Sequence, residues 1–592
     1  MRASLICVVL LITACGGPAA PTAEAPPPAP DTATAAPALP AWSHGGMVSA
    51  ANPHAVAAAA EMLARGGHAV DAAIAAHAVL GLVEPQSSGL GGSAFMLVFN
   101  RASGSLVTYD GRETAPAGAT ADMFVVDGQA LGFREAWQSG IGVGVPGTVA
   151  LYQHAHAADG KLPWADLFQP AIDLASNGFE VSPRMNGWLV RLHQAVNLEI
   201  APTMAAYLYP GGEPLPVGFR LKNPAYAETL REITAGGGEA FYSGRIADAI
   251  VARAQAAPLP GSISAADIAG YKLRSREAIC GAFREYRICS APPPSSGVAH
   301  IMIAGIYDEL LEDPDASQAD RIQWFVDAQR LAYADRDRFV ADPDFVDVPA
   351  AELIDPIYIA HRATERFAPD ALPTHGNPSA VLGRDVAVWN YGADNTREAA
   401  GTSHFSIVDV YGNALAMTAS VGAPFGSFRM TGGFLLNNQM ADFARDPSPD
   451  GQLAANAVAP GKRPRSSMSP TIVFDRNDDL LMLTGSPGGN SIIAYTTKSI
   501  LAVLDWGLSP QEAADFPNVI ARGETVRVEN TSELGMQIAA DLTERGYNVQ
   551  ARAGENSGIH IIVVGEDGLE GAADRRREGR VQAVPSPLQV SQ

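Results

Sequence analysis

Two hydroxyl residues are predicted to face each other across a β-hairpin. Residues 404–410 and 414–420 are β-rich runs, and residues 411–413 between them are typical of a turn. If the turn centres on residues 411 and 412, Thr402 lies opposite residue 420 or 421. Opposed side chains on antiparallel strands are about 4.5–5.5 Å apart, so Thr402 and Ser420 can share a hydrogen bond. Taken alone, the pair is better explained as two β-favouring residues on a sheet.

A glycine-rich loop is the second candidate. The run 485–489 (GSPGG) joins a predicted strand at 480–483 to a predicted helix that spans about 490–504. Glycines leave backbone N–H groups unshielded and a helix N-terminus is partially positive, so such a loop can hold an anion or an oxyanion. No Gly-Lys-Ser/Thr follows, which argues against the usual phosphate loop, and a plain tight turn explains the same residues.

The polar run 462–470 (KRPRSSMSP) is the third candidate. Its hydroxyl groups can bind a carboxylate, or the run can be an ordinary polar loop. Each of the three signals is weak when it is considered separately.

The elements that position these residues are predicted to be strands enclosed by helices. Further helices are predicted within 53–82 (two, separated at Gly66-Gly67), over most of 150–270 and at 322–339, and further strands at 94–99, 106–109 and 471–474. Prolines and glycines between 364 and 400 predict an exposed, mobile connection. No internal repeat is visible, so we expect one continuous fold rather than two separate domains.

Composition limits the class of protein. The 592 residues include 41 Lys and Arg against 63 Asp and Glu, which gives a formal net charge of −22. With 47% hydrophobic and 18% charged residues, the chain is too apolar to be disordered and too mixed to be a polytopic membrane protein. Binding to a nucleic acid backbone requires a concentrated basic face, so the acidic composition argues against nucleic acid as a partner.

The amino terminus predicts export. Residues 1–14 combine Arg2 with an apolar stretch too short to span a bilayer, which is typical of a signal peptide. The run ITAC ending at Cys15 resembles a bacterial lipobox, so Cys15 is predicted to be lipidated, with a chance cysteine as the alternative. Residues 15–41 are rich in Pro and Ala and predict a semi-extended tether. We therefore expect a periplasm-facing lipoprotein that contacts the membrane only through its anchor.

Cys280 and Cys289 flank a second predicted hairpin. In an exported protein, such a pair forms a disulfide or remains as two buried free thiols. Their spacing is not that of a zinc site, and the sequence contains no His-Glu-x-x-His motif. We expect neither a metal nor a cofactor.

Taken together and in this order, the motifs resemble those of the γ-glutamyltransferase family, and the match extends over nearly all of residues 44–576. The matching runs are 84–92 (EPQSSGLGG), 144–147 (GVPG), 291–297 (APPPSSG), 333–336 (YADR), 401–404 (GTSH), 436–440 (LNNQM), 466–470 (SSMSP), 485–489 (GSPGG) and 571–574 (GAAD). So many motifs in one order do not arise by chance.

The resemblance implies an α/β (α+β) fold, namely the four-layer αββα sandwich of amino-terminal-nucleophile hydrolases. The chain would cut itself between Gly401 and Thr402, giving a large subunit (42–401) and a small catalytic subunit (402–592) that form a heterodimer. The freed α-amine of Thr402 would then serve as the base for its own hydroxyl. The implied activity is cleavage of the γ-glutamyl amide of glutathione and related compounds through a threonyl acyl-enzyme, with transfer to water, an amino acid or a peptide.

The resemblance also implies roles for the residues around Thr402. Ser420 would support the nucleophile, and the backbone amides of Gly488 and Gly489 would hold the oxyanion. His404, two residues further along the same strand, is expected to serve packing.

Five further residues would bind the donor. Arg112, Ser466 and Ser467 match the residues that hold the α-carboxylate of the γ-glutamyl group, for which a guanidinium is well suited. Gln439 and Asp442 match those that hold its α-ammonium.

Three departures from the family pattern bear on specificity. Gly422 stands where an Asn commonly contacts the α-ammonium, Arg465 replaces an apolar residue, and the lid at 444–461 looks short. An acylase for glutaryl or cephalosporin-like side chains, which lack the ammonium, would tolerate Gly422, although Asp442 argues against it. A catalytically inactive binding lipoprotein with the same sandwich is the third hypothesis.

Overall fold

The computed structural model describes residues 42–586, apart from residues 127, 196, 312, 314, 366 and 385–388. The predicted signal peptide, the lipidated Cys15 and the tether all lie outside these residues. Within the described part of the chain, no helix combines the length and the apolar character that a membrane span requires.

Two antiparallel sheets form the centre of the fold. In spatial order, the first sheet contains Arg580–Val584, Gly46–Ala50, Gly401–Val408, Ala414–Gly422, Ser93–Asn100, Ser105–Asp110 and Arg274–Glu277. The second contains Gly568–Ala573, His560–Gly565, Leu480–Thr484, Thr471–Phe474, Tyr286–Ser290 and Ile279–Phe283. The predicted strands are therefore confirmed, with bounds that differ from the predicted ones by at most three residues.

Side chains alternate between two apolar environments along the central strands. Phe405 and Ile407 pack with the helices on one side of the first sheet. Val408 and Ala416 point the other way and pack against Ile472 of the second sheet. Because successive side chains of a strand point to opposite faces, these strands are buried on both faces.

Helices cover the outer face of each sheet. The first outer layer contains Pro53–Ala64, Ala69–Val83, Thr148–Asp159, Gln169–Asn177, Pro183–His193, Pro202–Leu208, Pro224–Gly236, Glu239–Tyr242, Gly244–Ala254 and Ala265–Gly270. The second contains Gly297–Leu310, Gln318–Phe339, Ala350–Leu353, Pro356–Thr364, Ile492–Leu504, Pro510–Asp515 and Glu533–Glu544, with a small sheet of Val519–Arg522, Thr525–Glu529 and Asn548–Arg552. The helices predicted within 53–82 and at 322–339 are confirmed, and so is the expected αββα order of layers.

The segment that precedes Gly401 differs from its prediction as an exposed connection. Asp394 and Thr396 are buried, and the Glu398 side chain is only 6% exposed. These side chains are buried because they have polar partners inside the fold: Arg465 donates to Asp394 at 2.9 Å, and Arg336 pairs with Glu398. The exposure predicted from the prolines and glycines of residues 364–400 is therefore wrong at these positions, and the segment also contains the short helix Pro378–Val381.

Cys280 and Cys289 lie directly opposite each other on adjacent strands of the second sheet. Their Cα atoms are 4.1 Å apart and their sulfurs are joined at 2.09 Å. Of the two alternatives that the sequence left open, the structure therefore contains the disulfide.

Candidate functional site

Thr402 and Ser420 are brought together by the pairing of Gly401–Val408 with Ala414–Gly422. The Thr402 hydroxyl donates to Ser420 Oγ at 3.1 Å, and Ser420 Oγ donates to the Gly401 carbonyl at 2.8 Å. Ser420 Oγ also accepts from the backbone N–H of Gly422 at 2.8 Å. Thr402 is 2% exposed, so these hydroxyls have little water to bond to instead.

This arrangement is suited to chemistry on the Gly401–Thr402 peptide bond. The Thr402 hydroxyl belongs to the residue on the nitrogen side of this bond. The Ser420 hydroxyl donates to the carbonyl oxygen of Gly401 on the other side. Donation to a carbonyl oxygen stabilises the negative charge that develops there when a nucleophile adds to the carbon. The register of the pairing also shifts between Gly401 and Thr402, which is the irregularity of a bulge.

The glycine-rich loop lies against residues on both sides of Thr402. A Cβ on Gly485 would be 2.4 Å from the His404 ring, and one on Gly489 would be 2.4 Å from the Glu398 carbonyl oxygen. Gly488 and Gly489 have φ of +145° and +58°, values that L side chains rarely adopt. Glycine is therefore required at these positions for conformation and for close approach.

His404 supports this loop from within the sheet. Its ring makes hydrogen bonds with Thr418 Oγ1 at 2.8 Å and Ser406 Oγ at 3.2 Å. Burial holds the pKa of His404 well below its usual value, with a smaller contribution from His560. The ring is therefore neutral and packed against Gly485, in agreement with the expected packing role.

Arg577 is a neighbour of Thr402 that the sequence did not reveal. Its guanidinium donates to the Thr402 carbonyl at 2.9 Å and to the carbonyls of Ser557 and Asn556 at 3.0 and 3.1 Å. Burial, and then repulsion by Arg184, lower the pKa of Arg577 to about 9. Arg577 lies 175 residues from Thr402, and no motif connects the two.

Arg112 lies between two buried carboxylates. Its guanidinium donates to Asp442 Oδ2 at 2.7 Å and is 3.4 Å from Glu113 Oε2. When the Gln439 amide is oriented with its oxygen toward Arg112, its nitrogen donates to Glu113 and, at 3.0 Å, to the Ser420 carbonyl. Burial is the main cause that raises the pKa of Asp442 and of Glu113, each to about 7. When both carboxylates are ionised, the group of Arg112, Glu113 and Asp442 therefore has a net negative charge.

The two serines of the predicted carboxylate site have other partners in the structure. Ser467 Oγ accepts from Arg336 at 2.9 Å, and the Ser467 N–H donates to Glu398 Oε2 at 2.7 Å. Ser466 Oγ accepts from the N–H of Met468 at 3.2 Å. Arg112 donates to two backbone carbonyls of the same loop, just before the serines: Pro464 at 3.2 Å and Arg465 at 3.1 Å.

Asn438 explains why glycine stands at position 422. Gly422 has φ +94°, and a Cβ there would be 2.2 Å from Asn438 Oδ1. That oxygen accepts from the Ala423 N–H at 2.8 Å. The volume that a side chain at position 422 would fill is therefore occupied by Asn438.

Arg465, which stands where the family commonly has an apolar residue, links the serine loop to the segment before Gly401. It is 1% exposed and donates to the side chain and the carbonyl of Asp394, both at 2.9 Å. A buried guanidinium requires such partners, and an apolar residue at this position could not provide this connection.

The predicted residues thus lie in connected groups, and sequence reasoning missed four of their neighbours. No roles were assigned to Glu113, Arg336, Glu398 and Arg577, although Arg336 belongs to the motif YADR and Glu113 adjoins Arg112.

In the described residues, no three or more His, Cys, Asp or Glu side chains are grouped so as to hold a metal ion.

Known proteins with similar sequences indicate the family of this chain. The sequence profile of the family described as Gamma-glutamyltranspeptidase matches residues 55–584. The chain is 34% identical over 573 residues to the glutathione hydrolase proenzyme of Escherichia coli (strain K12), a match that covers 92% of this chain and 95% of that protein. It is also 34% identical over 563 residues to the Acylase ACY 1 proenzyme of Pseudomonas sp. (strain V22), covering 93% and 95%.

A solved structure extends the similarity to the fold. The cephalosporin acylase from Bacillus halodurans superposes with a TM-score of 0.80 at 26% identity, covering 94% of this chain and 98% of that one. The profile match and the similarity over nearly the whole length of these relatives show that the chain belongs to the gamma-glutamyltranspeptidase family.

Proposed function

We propose that this protein is an autoprocessing enzyme that hydrolyses or transfers the γ-glutamyl group of glutathione and related amides. The observation that carries the proposal is the Ser420 hydroxyl, which bonds both to Thr402 Oγ1 and to the Gly401 carbonyl. The name of the Escherichia coli relative, glutathione hydrolase proenzyme, supports both the activity and the processing.

Maturation would begin at the Gly401–Thr402 bond. Thr402 Oγ1 adds to the Gly401 carbonyl carbon, and its proton passes to the Thr402 nitrogen as the C–N bond breaks. The resulting ester is hydrolysed by water, which leaves Gly401 as a carboxylate and Thr402 with a free α-amine. The products are the large subunit ending at Gly401 and the small subunit beginning at Thr402, which remain associated as a heterodimer.

Turnover would use the new amino terminus. An α-amine with an ordinary pKa near 7.7–8.0 can accept the proton of the Thr402 hydroxyl, whereas the amide nitrogen of the uncut chain cannot. The hydroxyl attacks the donor amide, and the N–H groups of Gly488 and Gly489 hold the oxyanion. Loss of one such donor typically costs about 10²–10³ in rate. Water or an amine acceptor then releases the acyl group from Thr402.

Donor recognition would be divided between two polar groups. Arg112, Ser466 and Ser467 would read the α-carboxylate, and Gln439 and Asp442 would read the α-ammonium. The raised pKa of Asp442 supports this role, because a buried carboxylate without a full counter-charge favours a cationic ligand.

A glutaryl or cephalosporin acylase is the second candidate. The Pseudomonas relative at 34% identity is an acylase, and the space at position 422 is closed to an ammonium-binding side chain. Comparing γ-glutamyl-p-nitroanilide with glutaryl-p-nitroanilide separates the two. We expect the γ-glutamyl compound to be preferred, and preference for the glutaryl compound would establish the acylase instead.

Intact-mass analysis of the purified protein tests maturation itself. We expect two fragments, the smaller beginning Thr-Ser-His-Phe, and a single unprocessed chain from Thr402→Ala. An active preparation without a small fragment would contradict the mechanism. A wild-type chain that stays uncut and inactive would favour the binding lipoprotein.

We further propose that the enzyme is exported and anchored by a lipid on Cys15. The support is the signal-like run at 1–14 and the following cysteine. Palmitate labelling should mark the wild type and not Cys15→Ser, and absence of label from both would remove the anchor.

A further inference from the structure

The carboxylate of Glu398 occupies a built anion site. It is ion-paired with Arg336, accepts from the Ser467 N–H at 2.7 Å and accepts from Asn490 Nδ2 at 3.3 Å. Arg336 is itself fully buried and also donates to Ser296 Oγ at 3.0 Å. Buried charged groups require such partners, and these partners together satisfy a carboxylate.

Glu398 belongs to the segment that precedes the proposed cut. It lies three residues before Gly401, and its backbone N–H donates to Asn490 Oδ1 at 2.7 Å. Its carbonyl oxygen lies against Gly489, where a Cβ would approach to 2.4 Å. The residue therefore reaches from the glycine-rich loop to the serine loop.

An acyl donor must span the same two loops. In a glutamyl residue, the backbone carbonyl carbon and the side-chain carboxylate carbon are separated by as many bonds as the amide carbon and the α-carboxylate of a γ-glutamyl group. The same number of bonds separates the two carboxyl carbons of a glutaryl group. Glu398 thus has the length of the donor and carries its carboxylate at the corresponding end.

The charged group around Glu398 changes from neutral to positive when Glu398 leaves. Three guanidinium groups are ion-paired with three carboxylates in this group: Arg336, Arg465 and Arg522 with Asp337, Asp394 and Glu398. Removal of Glu398 leaves one uncompensated positive charge. Burying such a charge without a partner is costly, so the vacated group favours a new carboxylate.

The group around Arg112 has the opposite imbalance. One guanidinium faces the carboxylates of Glu113 and Asp442, at 3.4 and 2.7 Å. This group has one excess negative charge when both acids are ionised. The acids of this group therefore suit the ammonium of an amino-acid head whose carboxylate binds at the vacated position of Glu398.

We propose that Glu398 fills the donor-carboxylate subsite in the uncut chain and that Arg336 pairs with the carboxylate of the donor in the mature enzyme. The inference rests on the proposed function and adds Arg336 to Arg112, Ser466 and Ser467 as a residue that binds this carboxylate.

Two substrates separate this role of Arg336 from a structural one. γ-Glutamyl-p-nitroanilide carries the α-carboxylate, whereas 4-aminobutyryl-p-nitroanilide is the same compound without it. In matured enzyme, Arg336→Gln should lower kcat/KM about 10–100-fold for the first compound relative to the second, as expected for a lost charge-assisted bond. Arg336→Lys should recover part of the difference. Equal losses on both compounds would overturn the proposal.

Arg429 supplies the matched control. It is another buried guanidinium, bound to the carbonyls of Ala256 and Pro258 at 2.7 Å each. Arg429→Gln should affect both compounds by the same factor. If wild-type enzyme hydrolyses neither compound, the proposed function fails, and the role of Arg336 is then decided by binding as follows.

A binding experiment covers variants that do not mature. Thr402→Ala keeps the chain uncut, and Glu398→Ala in that background should open the subsite. L-Glutamate followed by calorimetry should bind the double variant at least about 10-fold more tightly than Thr402→Ala, and adding Arg336→Gln should abolish the gain. Equal affinity of the three chains would overturn the proposal, and glutarate in place of glutamate shows whether the ammonium contributes.

Discussion

Thr402 and Ser420 face each other on adjacent strands with their hydroxyl oxygens 3.1 Å apart, and Ser420 also donates to the Gly401 carbonyl at 2.8 Å. One side chain thus contacts both residues of the peptide bond that we propose is cut. We therefore propose that Ser420 positions Thr402 and donates to the carbonyl oxygen without reacting itself.

Ser420→Ala should slow maturation. The substitution removes the donor to Gly401 and leaves the Gly422 N–H without its acceptor, at a cost of about 1–3 kcal/mol. We expect the small fragment to appear about 10–100-fold more slowly in a gel time course.

Ser403→Ala is the control for this experiment. Ser403 is buried on the adjacent strand, next to Thr402, and among the described residues its hydroxyl has no hydrogen-bond partner. It should mature at the wild-type rate. Equal rates for Ser420→Ala and Ser403→Ala would remove Ser420 from the mechanism.

Gly489→Ala should impair maturation through a direct clash. The added methyl carbon would lie 2.4 Å from the Glu398 carbonyl oxygen, and Gly489 also has φ +58°. Gly507 has a similar φ of +68°, but a Cβ there meets no atom of the described residues within 4 Å. Gly507→Ala should therefore mature normally. Thermal unfolding should show that its free energy of unfolding is lower than that of the wild type by about 1 kcal/mol, the cost of the backbone strain alone. Normal maturation of Gly489→Ala would mean that the segment before Gly401 is not held against the loop.

Binding of the donor ammonium should depend on pH around neutrality. Burial raises the pKa of Asp442 to about 7, and a cationic ligand favours the ionised form. For γ-glutamyl-p-nitroanilide, KM should therefore fall as the pH rises from 6 to 8 and then level off. Glutaryl-p-nitroanilide, which has no ammonium, should show no such decrease, and Asp442→Asn should remove it for the γ-glutamyl compound.

The same shift has a consequence for stability. The pKa of Asp442 in the folded chain lies above the ordinary value near 3.9, so the folded state holds this proton more tightly than the unfolded state. The tighter binding of this proton stabilises the folded state fully below about pH 4, and this stabilisation is lost as the pH rises through 7. Urea unfolding of wild type and Asp442→Asn at pH 5 and pH 8 tests this. The free energy of unfolding of wild type relative to Asp442→Asn should be lower at pH 8 than at pH 5.

Gly422→Asn should not restore the usual family contact. The new side chain would begin 2.2 Å from Asn438 Oδ1 at a φ of +94°, so we expect a loss of about 1–3 kcal/mol in unfolding free energy. Gly383→Asn is the control for the cost of placing Asn at a positive φ, because Gly383 has φ +62° and no described atom lies within 4 Å of a Cβ there. A stable Gly422→Asn enzyme with a lower KM for the γ-glutamyl donor would show that Asn438 can move aside.

Local pattern was sufficient for much of the fold. Alternating β-rich residues around a turn predicted the hairpin and placed Thr402 opposite residue 420 or 421, and the structure pairs it with Ser420. Helical spacing likewise predicted two helices within 53–82 separated at Gly66-Gly67, and the structure has them at Pro53–Ala64 and Ala69–Val83. These features depend on residues close in sequence, whose backbone preferences and side-chain directions repeat with a fixed period.

The sequence by itself thus determined the elements, the family and the nucleophile candidate, whereas the tertiary structure decided the partners of the charged groups. Arg577 reaches Thr402 across 175 residues, and Glu398 pairs with Arg336 although its segment read as an exposed connection. The reason is physical: a buried charge must be matched by whatever group packing brings within a few ångströms, and sequence spacing carries no information about that distance.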